Sequence, residues 1–249
     1  MNFKIQMRGL KKQFGSNPVL DGVDLEISSD TITAIIGKSG SGKSVLLKLI
    51  AGIYTLDAGT IDCMRILESG ESVPIALGDI GFSYMFQNNA LFDSLTAFEN
   101  VALPLSEGKL KVDPSTIQNI VDDLLEQLDL SSARNRFPGE LSGGMNKRVA
   151  FARALVTQPK VVLFDEPTTG LDPERKFTVF DMIERYRKQF GFSALLVSHD
   201  IPDVYSIVDS IAWLDQGKMQ FLGTSQEIDF ITEVATKNYL KTGRFVGKS

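Results

Sequence analysis

Thr31–Ile53 reads TITAIIGKSGSGKSVLLKLIAGI and changes character twice within one stretch. TITAIIG is an almost unbroken apolar run, the pattern of a strand buried on both faces. Glycines follow, and SVLLKLIAGI then carries an apolar stripe at helical spacing. A buried strand that feeds a helix through a glycine turn is the building unit of an α/β core.

The turn itself carries chemistry. Gly37–Ser44, GKSGSGKS, satisfies the spacing G-x-x-x-x-G-K-[ST] with a predicted strand before it and a predicted helix after it. Gly37, Gly40 and Gly42 let the backbone curl so that successive N–H groups converge on phosphate oxygens, and the helix start adds its positive end. Lys38, Ser39, Ser41 and Val45 complete the candidate nucleotide-binding run. Lys43 can reach between the β and γ phosphates, and the Ser44 hydroxyl can ligate magnesium. A glycine turn that merely caps a helix is the plainer reading; the strand and helix on either side weigh against it.

A phosphoryl-transfer site also needs an acidic magnesium partner on a strand end beside the loop. KVVLFDE supplies Asp165 as the magnesium ligand and Glu166 as the base or orienter of the attacking water. An acidic pair is usually solvated surface, but here four apolar residues run straight into it. His199, the only histidine, follows the apolar run ALLVS. It is either a satisfied core residue or a donor to a γ phosphate, and without His or Cys companions it does not point to structural zinc.

Working outward, Phe3, Ile5 and Met7 alternate, as do Val23, Leu25 and Ile27, so the first 30 residues read as paired, half-exposed strands. DAGTIDCMRIL and DIGFSYMF add candidate strands. Between about Ala90 and Pro159 the strand signal fades, and Ile117, Ile120, Val121, Leu124, Leu125 and Leu128 recur at helical spacing. Strand signals return in KVVLFDE, SALLVSH and SIAWLDQGKMQFLG, around the charged helix ERKFTVFDMIERYRKQF. The expected plan is one folded unit over 1–249, with a catalytic core from 1–87 and 160–224, a helical lobe from 88–159 and a tail from 225–249. The tail has a weak helical pattern from Ile228 to Leu240 and a polar end, KTGRFVGKS, expected to be mobile.

The chain has 249 residues, 43% hydrophobic and 23% charged, which suits a globular protein rather than a disordered one. A net charge of −5 argues against a nucleic-acid partner. The single cysteine, Cys63, excludes an internal disulfide and reads as a small buried hydrophobe. MNFKIQMRGLKK lacks a signal-peptide pattern, and VVLF and TAII are far shorter than the ~20 residues of a membrane span.

LSGGM, Leu141–Met145, places a second glycine-rich helix start in the same chain, ahead of MNKRVAFARALVTQP. With the phosphate loop, Gln87 in MFQN, Asp172 in DEPTTGLDP and His199, all in order, the sequence resembles the nucleotide-binding subunits of ATP-binding cassette (ABC) transporters over nearly its full length. The resemblance implies an α/β P-loop fold with a mainly parallel core sheet, an antiparallel β subdomain and an inserted α-helical subdomain. It implies ATP and Mg2+ as cofactors, and a head-to-tail dimer in which Ser142, Gly143 and Gly144 of one copy close on the γ phosphate held by the other. It makes Phe14 the aromatic that stacks on adenine, in a place where tyrosine is commoner. It makes Gln87 a magnesium or water contact, Asp172 a link between the two sites and His199 the γ-phosphate sensor. Leu91, Phe92, Leu95 and Phe98 would line a groove that receives a helix of a membrane permease, with the subunit held on the cytoplasmic face of the inner membrane.

Met145 in place of the usual glutamine, with FQNNALFDSLTAFENVALPL, narrows the resemblance to the ATPases of MCE-associated lipid transporters. That implies phospholipid traffic between membranes and an MCE-domain partner. The alternatives are a lipoprotein-release or amino-acid transporter, or a soluble ABC ATPase acting in DNA repair or translation. The last is disfavoured by a lone cassette, the acidic balance and the lack of a long coiled-coil insertion. A nucleotide-controlled scaffold without turnover is disfavoured because Lys43, Asp165, Glu166 and His199 are all present.

Overall fold

Whether a strand alternates or is apolar throughout decides which of two sheets it joins. The structure is a computed structural model and describes residues 2–108, 112–230 and 234–243. β1 (Asn2–Phe14) and β2 (Asn17–Ser28) pair antiparallel with Ile5 opposite Ile27 and Met7 opposite Leu25. Their alternating residues bury Phe3, Ile5, Met7, Val23, Leu25 and Ile27 and leave the other face to solvent. β4 (Ala58–Ile66) and β5 (Ser72–Ile75) extend this sheet in the order β2-β1-β4-β5. β5, SVPI, is only four residues long and buries none of them fully; its ladder to β4 makes it a strand.

The second sheet contains β3 (Ile32–Ile36), β6 (Phe82–Met85), β7 (Val161–Asp165), β8 (Ser193–Ser198), β9 (Ser210–Asp215) and β10 (Lys218–Gly223). Their order is β10-β9-β3-β8-β7-β6, parallel from β9 to β6, with β10 antiparallel at one edge. Every residue of β3, β7 and β8 is buried. Along β7, Val161 and Leu163 face an apolar cluster shared with the antiparallel sheet and α1 (Lys43–Ile50), whereas Val162 and Phe164 face the helices on the opposite side. The continuous apolar runs in the sequence are thus strands covered on both faces.

α2 (Leu77–Ile80) is a single turn before β6. α3 (Ala97–Ser106) starts at a reciprocal cap between Thr96 and Glu99, and α4 (Pro114–Gln127) starts at Asp113 with Pro114 in its first turn. α4 buries the expected stripe except Ile120, which is half-buried. α5 (Gly143–Leu155) packs Phe151 against Phe164 at 5.2 Å and Tyr186 of α6 (Pro173–Phe190) at 5.5 Å. The signature-like helix is therefore seated on the core sheet as well as on α3 and α4.

In the tail, α7 (Val234–Thr242) and a 3-10 turn at Glu227–Phe230 occupy the region of weak helical pattern. Tyr239 stacks near Trp213 at 5.3 Å, and the Tyr205 hydroxyl donates to the Leu240 carbonyl at 2.5 Å. Residues 244–249, where the polar end was expected to be mobile, lie outside the described residues. No described helix is long and apolar enough to cross a membrane.

Cys63 sits in β4 at 4% exposure, and burial with Asp62 beside it pushes its thiol up to about 11. Alkylation of native protein at pH 8, followed by mass spectrometry, is expected to run at least ~10-fold slower than in denaturant. Equal rates would show that the β1–β4 face is open.

Candidate active site

Because β3, β6, β7 and β8 are parallel, their C-terminal ends emerge on one edge of the sheet. Gly37, Gln87, Asp165 with Glu166, and His199 all lie at or just past those ends. The loop after β3 is shaped by two close approaches. A Cβ at Gly37 would stand 2.2 Å from the Leu214 carbonyl oxygen of β9, and one at Gly42 (φ 102°) 2.8 Å from the Leu20 side chain and 3.0 Å from the Val19 carbonyl oxygen. Gly40 has open space and is required by its φ of 79° alone.

Gly42 caps α1 without any side-chain acceptor, so the first N–H groups of the helix face the loop. Lys43, 4% exposed, folds back and donates to the Gly37 carbonyl at 2.9 Å and the Lys38 carbonyl at 2.8 Å. Burial pulls its ammonium below the usual lysine range, while Glu166 and then Asp165 push it back up. The Ser41 hydroxyl is buried with no hydrogen-bond partner. A cavity of ≈ 210 Å³ opens here, lined by Val19, Ser39, Gly40, Gly42, Lys43, Ser44, Val45 and Glu166. Hollows of ≈ 430 and ≈ 490 Å³ lie over the antiparallel sheet, but no glycine cradle with a buried lysine accompanies them. Chemistry rather than size selects the smaller one.

On the acidic side the Ser44 hydroxyl donates to Asp165 Oδ1 at 2.7 Å, and the Tyr84 hydroxyl of β6 donates to Asp165 Oδ2 at 2.6 Å. Burial and the bond to Asp165 push the Tyr84 phenol far up, so it stays a donor. Glu166 follows in a left-handed conformation, φ 50°, with its N–H held by the Val197 carbonyl of β8 at 3.1 Å. Its Oε2 accepts from the Thr169 hydroxyl at 2.9 Å and lies 3.6 Å from His199 Nδ1. The His199 side chain is 51% exposed, which disposes of the core-histidine reading.

The donor set suits a magnesium nucleotide: a cradle of N–H groups, an orphaned buried hydroxyl, a lysine that now bonds only loop carbonyls, and a hydroxyl–carboxylate pair at the correct chain positions. Were MgATP bound there it would supply the γ-phosphoryl group, and Lys43, Ser44 and Asp165 would be the residues to hold it.

Other expected site residues lie apart from this cavity. Phe14, 45% exposed, packs edge-on to Tyr54 at 5.3 Å with Lys12 5.5 Å over its ring. Gln87 is exposed. Asp172 caps α6, accepting from Arg175 N–H at 3.0 Å. Ser142 caps α5, accepting from Met145 N–H at 3.2 Å, and Gly143 and Gly144 are exposed with nothing within 4 Å of a Cβ built on either. Of the four expected groove residues, Phe92 is exposed whereas Leu91 and Phe98 pack on the core. Sequence reasoning missed Tyr84, whose strand position gives no sign of a polar role. It also missed Asp200, 6% exposed, which accepts from the Thr168 hydroxyl at 2.5 Å and pairs with Lys176.

A family model described as ABC transporter matches residues 20–169. A sulfate/thiosulfate import ATP-binding protein CysA from Caulobacter vibrioides is 36% identical over 236 residues, covering 93% of this chain and 68% of its own. A probable ribonucleotide transport ATP-binding protein, mkl, from Mycobacterium leprae is 33% identical over 249 residues, covering 99% of this chain and 71% of its own. Among solved structures, cbiO1 from Clostridium perfringens, part of the ABC transporter complex cbiONQ, has a TM-score of 0.77 and 26% identity over 98% of this chain and 97% of its own. The chain belongs to the ABC transporter family. It has the ABC-ATPase fold and is an ABC-type ATPase.

Gly37→Ala is expected to destabilise the protein by about 1–3 kcal/mol, because a main-chain carbonyl must move. Gly40→Ala should cost about 1 kcal/mol from backbone strain alone. Urea midpoints check the order. Tyr84→Phe leaves one oxygen of the buried Asp165 without its donor, and is expected to raise the Mg2+ concentration for half-maximal hydrolysis about tenfold and to lower stability by about 1–3 kcal/mol. An unaltered Mg2+ dependence would show that Ser44 alone orients Asp165.

Proposed function

We propose that this chain hydrolyses ATP as the peripheral subunit of a membrane transporter, in pairs, with a separate permease carrying the cargo. The observation that carries this reading is the start of α5. Glycine at a helix position costs up to about 1 kcal/mol relative to alanine, yet neither Gly143 nor Gly144 has a positive φ, and a Cβ on either would have open space beyond its own helix. Their use must be external, and an exposed helix start with free N–H groups suits an anion. In a head-to-tail pair that anion is the γ phosphate on the other copy's loop, so each closed dimer holds two nucleotides.

Within each site Lys43 would neutralise the β and γ phosphates, Ser44 and Asp165 would hold Mg2+, and Glu166 would take the proton of the attacking water. Thr169 and the Val197 carbonyl hold Glu166 in place for that task. His199 lies beside Glu166 and would report on the γ phosphate, with Gln87 contacting metal or water. Phe14 offers its exposed face to adenine, and Asp172 would join the two sites across the dimer. Hydrolysis removes a charged bridge between the copies and shifts the population toward the open pair.

The relatives' names favour a cargo other than phospholipid: one is a sulfate/thiosulfate importer and another a ribonucleotide transporter. Phospholipid traffic with an MCE-domain partner retains the support of Met145 and the segment after Gln87. The exposed Phe86 and Phe92 beside Gln87 favour a docked permease helix and a place at the cytoplasmic face of a membrane.

Glu166→Gln with ATP is expected to form a dimer in analytical ultracentrifugation. Adding Ser142→Arg should abolish the dimer while ATP still binds, and Lys43→Ala should lose nucleotide binding itself. A dimer that survives Ser142→Arg would sink the shared-site reading. Gentle membrane extraction and identification of stoichiometric partners separates the cargo readings: an MCE-domain protein supports lipid, a periplasmic solute receptor overturns it.

A further inference from the structure

Two glycines from distant parts of the chain close on one carbonyl. The Val19 oxygen of β2 would stand 3.0 Å from a Cβ at Gly42, which caps α1, and 2.5 Å from one at Gly217, in the turn between β9 and β10. The same Cβ at Gly217 would lie 3.1 Å from the Val19 carbonyl carbon and 3.3 Å from Leu20 Cα, so β2 meets the turn main chain to main chain. The Asp21 N–H donates to the Gly217 carbonyl at 2.8 Å, and the Asp21 carboxylate pairs with Lys11 at 2.8 Å and Lys218 at 3.5 Å. These contacts fasten an edge of the antiparallel sheet, β2, to an edge of the core sheet, β10.

Val19 also lines the phosphate-loop cavity. The other end of that loop meets the same hairpin directly, because Gly37 has no room for a side chain beside the Leu214 carbonyl of β9. The β9–β10 hairpin thus bears on both ends of the loop, on Gly37 by contact and on Gly42 through Val19. Close-packed main chain passes such a displacement on rather than absorbing it.

We propose that Gly217 is a positioning residue for the phosphate loop: by letting the turn close on Val19 it sets how β2 abuts Gly42, and through that the affinity of the loop for phosphate. This rests on the reading that the loop binds nucleotide. The plainer role is local. Gln216 and Gly217 have φ of 47° and 72°, the two left-handed positions of a two-residue hairpin turn, and such a turn favours glycine whatever lies beside it. Asparagine also tolerates that conformation, but its Cβ would meet Val19 just as that of alanine would.

Isothermal titration calorimetry with MgADP on the full chain separates the two roles. Gly217→Ala and Gly217→Asn are both expected to weaken binding about tenfold, although asparagine relieves much of the turn strain. Gly191→Ala is the matched control, a side chain added at φ 66° past the end of α6 with nothing within 4 Å. It should lower the urea midpoint and bind as wild type does. Wild-type affinity in either variant at 217, or equal weakening in Gly191→Ala, would overturn the proposal. If neither variant at 217 folds, Asp21→Asn with Lys218→Met loosens the turn through exposed side chains alone. Hydrogen exchange over 37–44 should then rise about threefold with β7 unchanged, and wild-type exchange over 37–44 would overturn the proposal equally. Absence of MgADP binding by the wild-type chain would instead overturn the nucleotide reading beneath it.

Discussion

Strands covered on both faces can carry a polar side chain only where a partner satisfies it, and this constraint arranges much of the rest of the molecule. β3, β7 and β8 are buried at every residue; apart from Thr33, whose hydroxyl is paired with that of Ser210 at 2.9 Å, their polar side chains lie at the strand ends. Parallel pairing then aligns those ends. Gly37, Asp165 and His199, far apart in sequence, leave the sheet from adjacent positions because β3, β8 and β7 are neighbours. The close contact of Gly37 with the Leu214 carbonyl is part of the same constraint: β9 runs beside β3 so tightly that the first residue of the phosphate loop has no room for a side chain.

The charges at that edge are mutually dependent. Lys43 is buried deeply enough that water cannot stabilise its ammonium, and it is held by two loop carbonyls and by the field of Glu166 and Asp165. Asp165 is in turn satisfied by two hydroxyls, from Ser44 and Tyr84, rather than by a cation. On the proposed reading a magnesium nucleotide would bring both signs of charge into this arrangement, with Lys43 to hold phosphate and Asp165 to hold metal. The ligand would then exchange the carbonyl and hydroxyl partners of Lys43 and Asp165 for ionic ones.

Much of the core was legible because one period or one unbroken apolar run decided each strand. TITAII and VVLF read as doubly covered strands, and Phe3, Ile5 and Met7 as one face of an antiparallel pair, because burial was the only force acting on them. The illegible parts depend on partners distant in sequence. β5, SVPI, is exposed apart from Ile75 and interrupted by Pro74, and it exists through its ladder to β4. α3 was hidden by Pro104 within it, although Thr96 and Glu99 spelled its start. Near the loop, Gly37, Lys43, Ser44 and Asp165 could be named from spacing, whereas Tyr84 and Asp200 act through contacts that no local pattern records.

Asp200 shows why such hidden contacts matter. It sits directly after His199, is nearly inaccessible, and accepts from Thr168 on one oxygen while pairing with Lys176 on the other. Thr168 belongs to the turn after Glu166, and Lys176 to the first turns of α6, just past the cap at Asp172. One buried carboxylate thus fastens together the segment after β7, the start of α6 and the segment after β8. Left without either partner it would be an unpaired charge in an apolar setting, which is severely destabilising. The backbone segments that carry Glu166, His199 and Asp172 are consequently tied to one another through a single buried carboxylate.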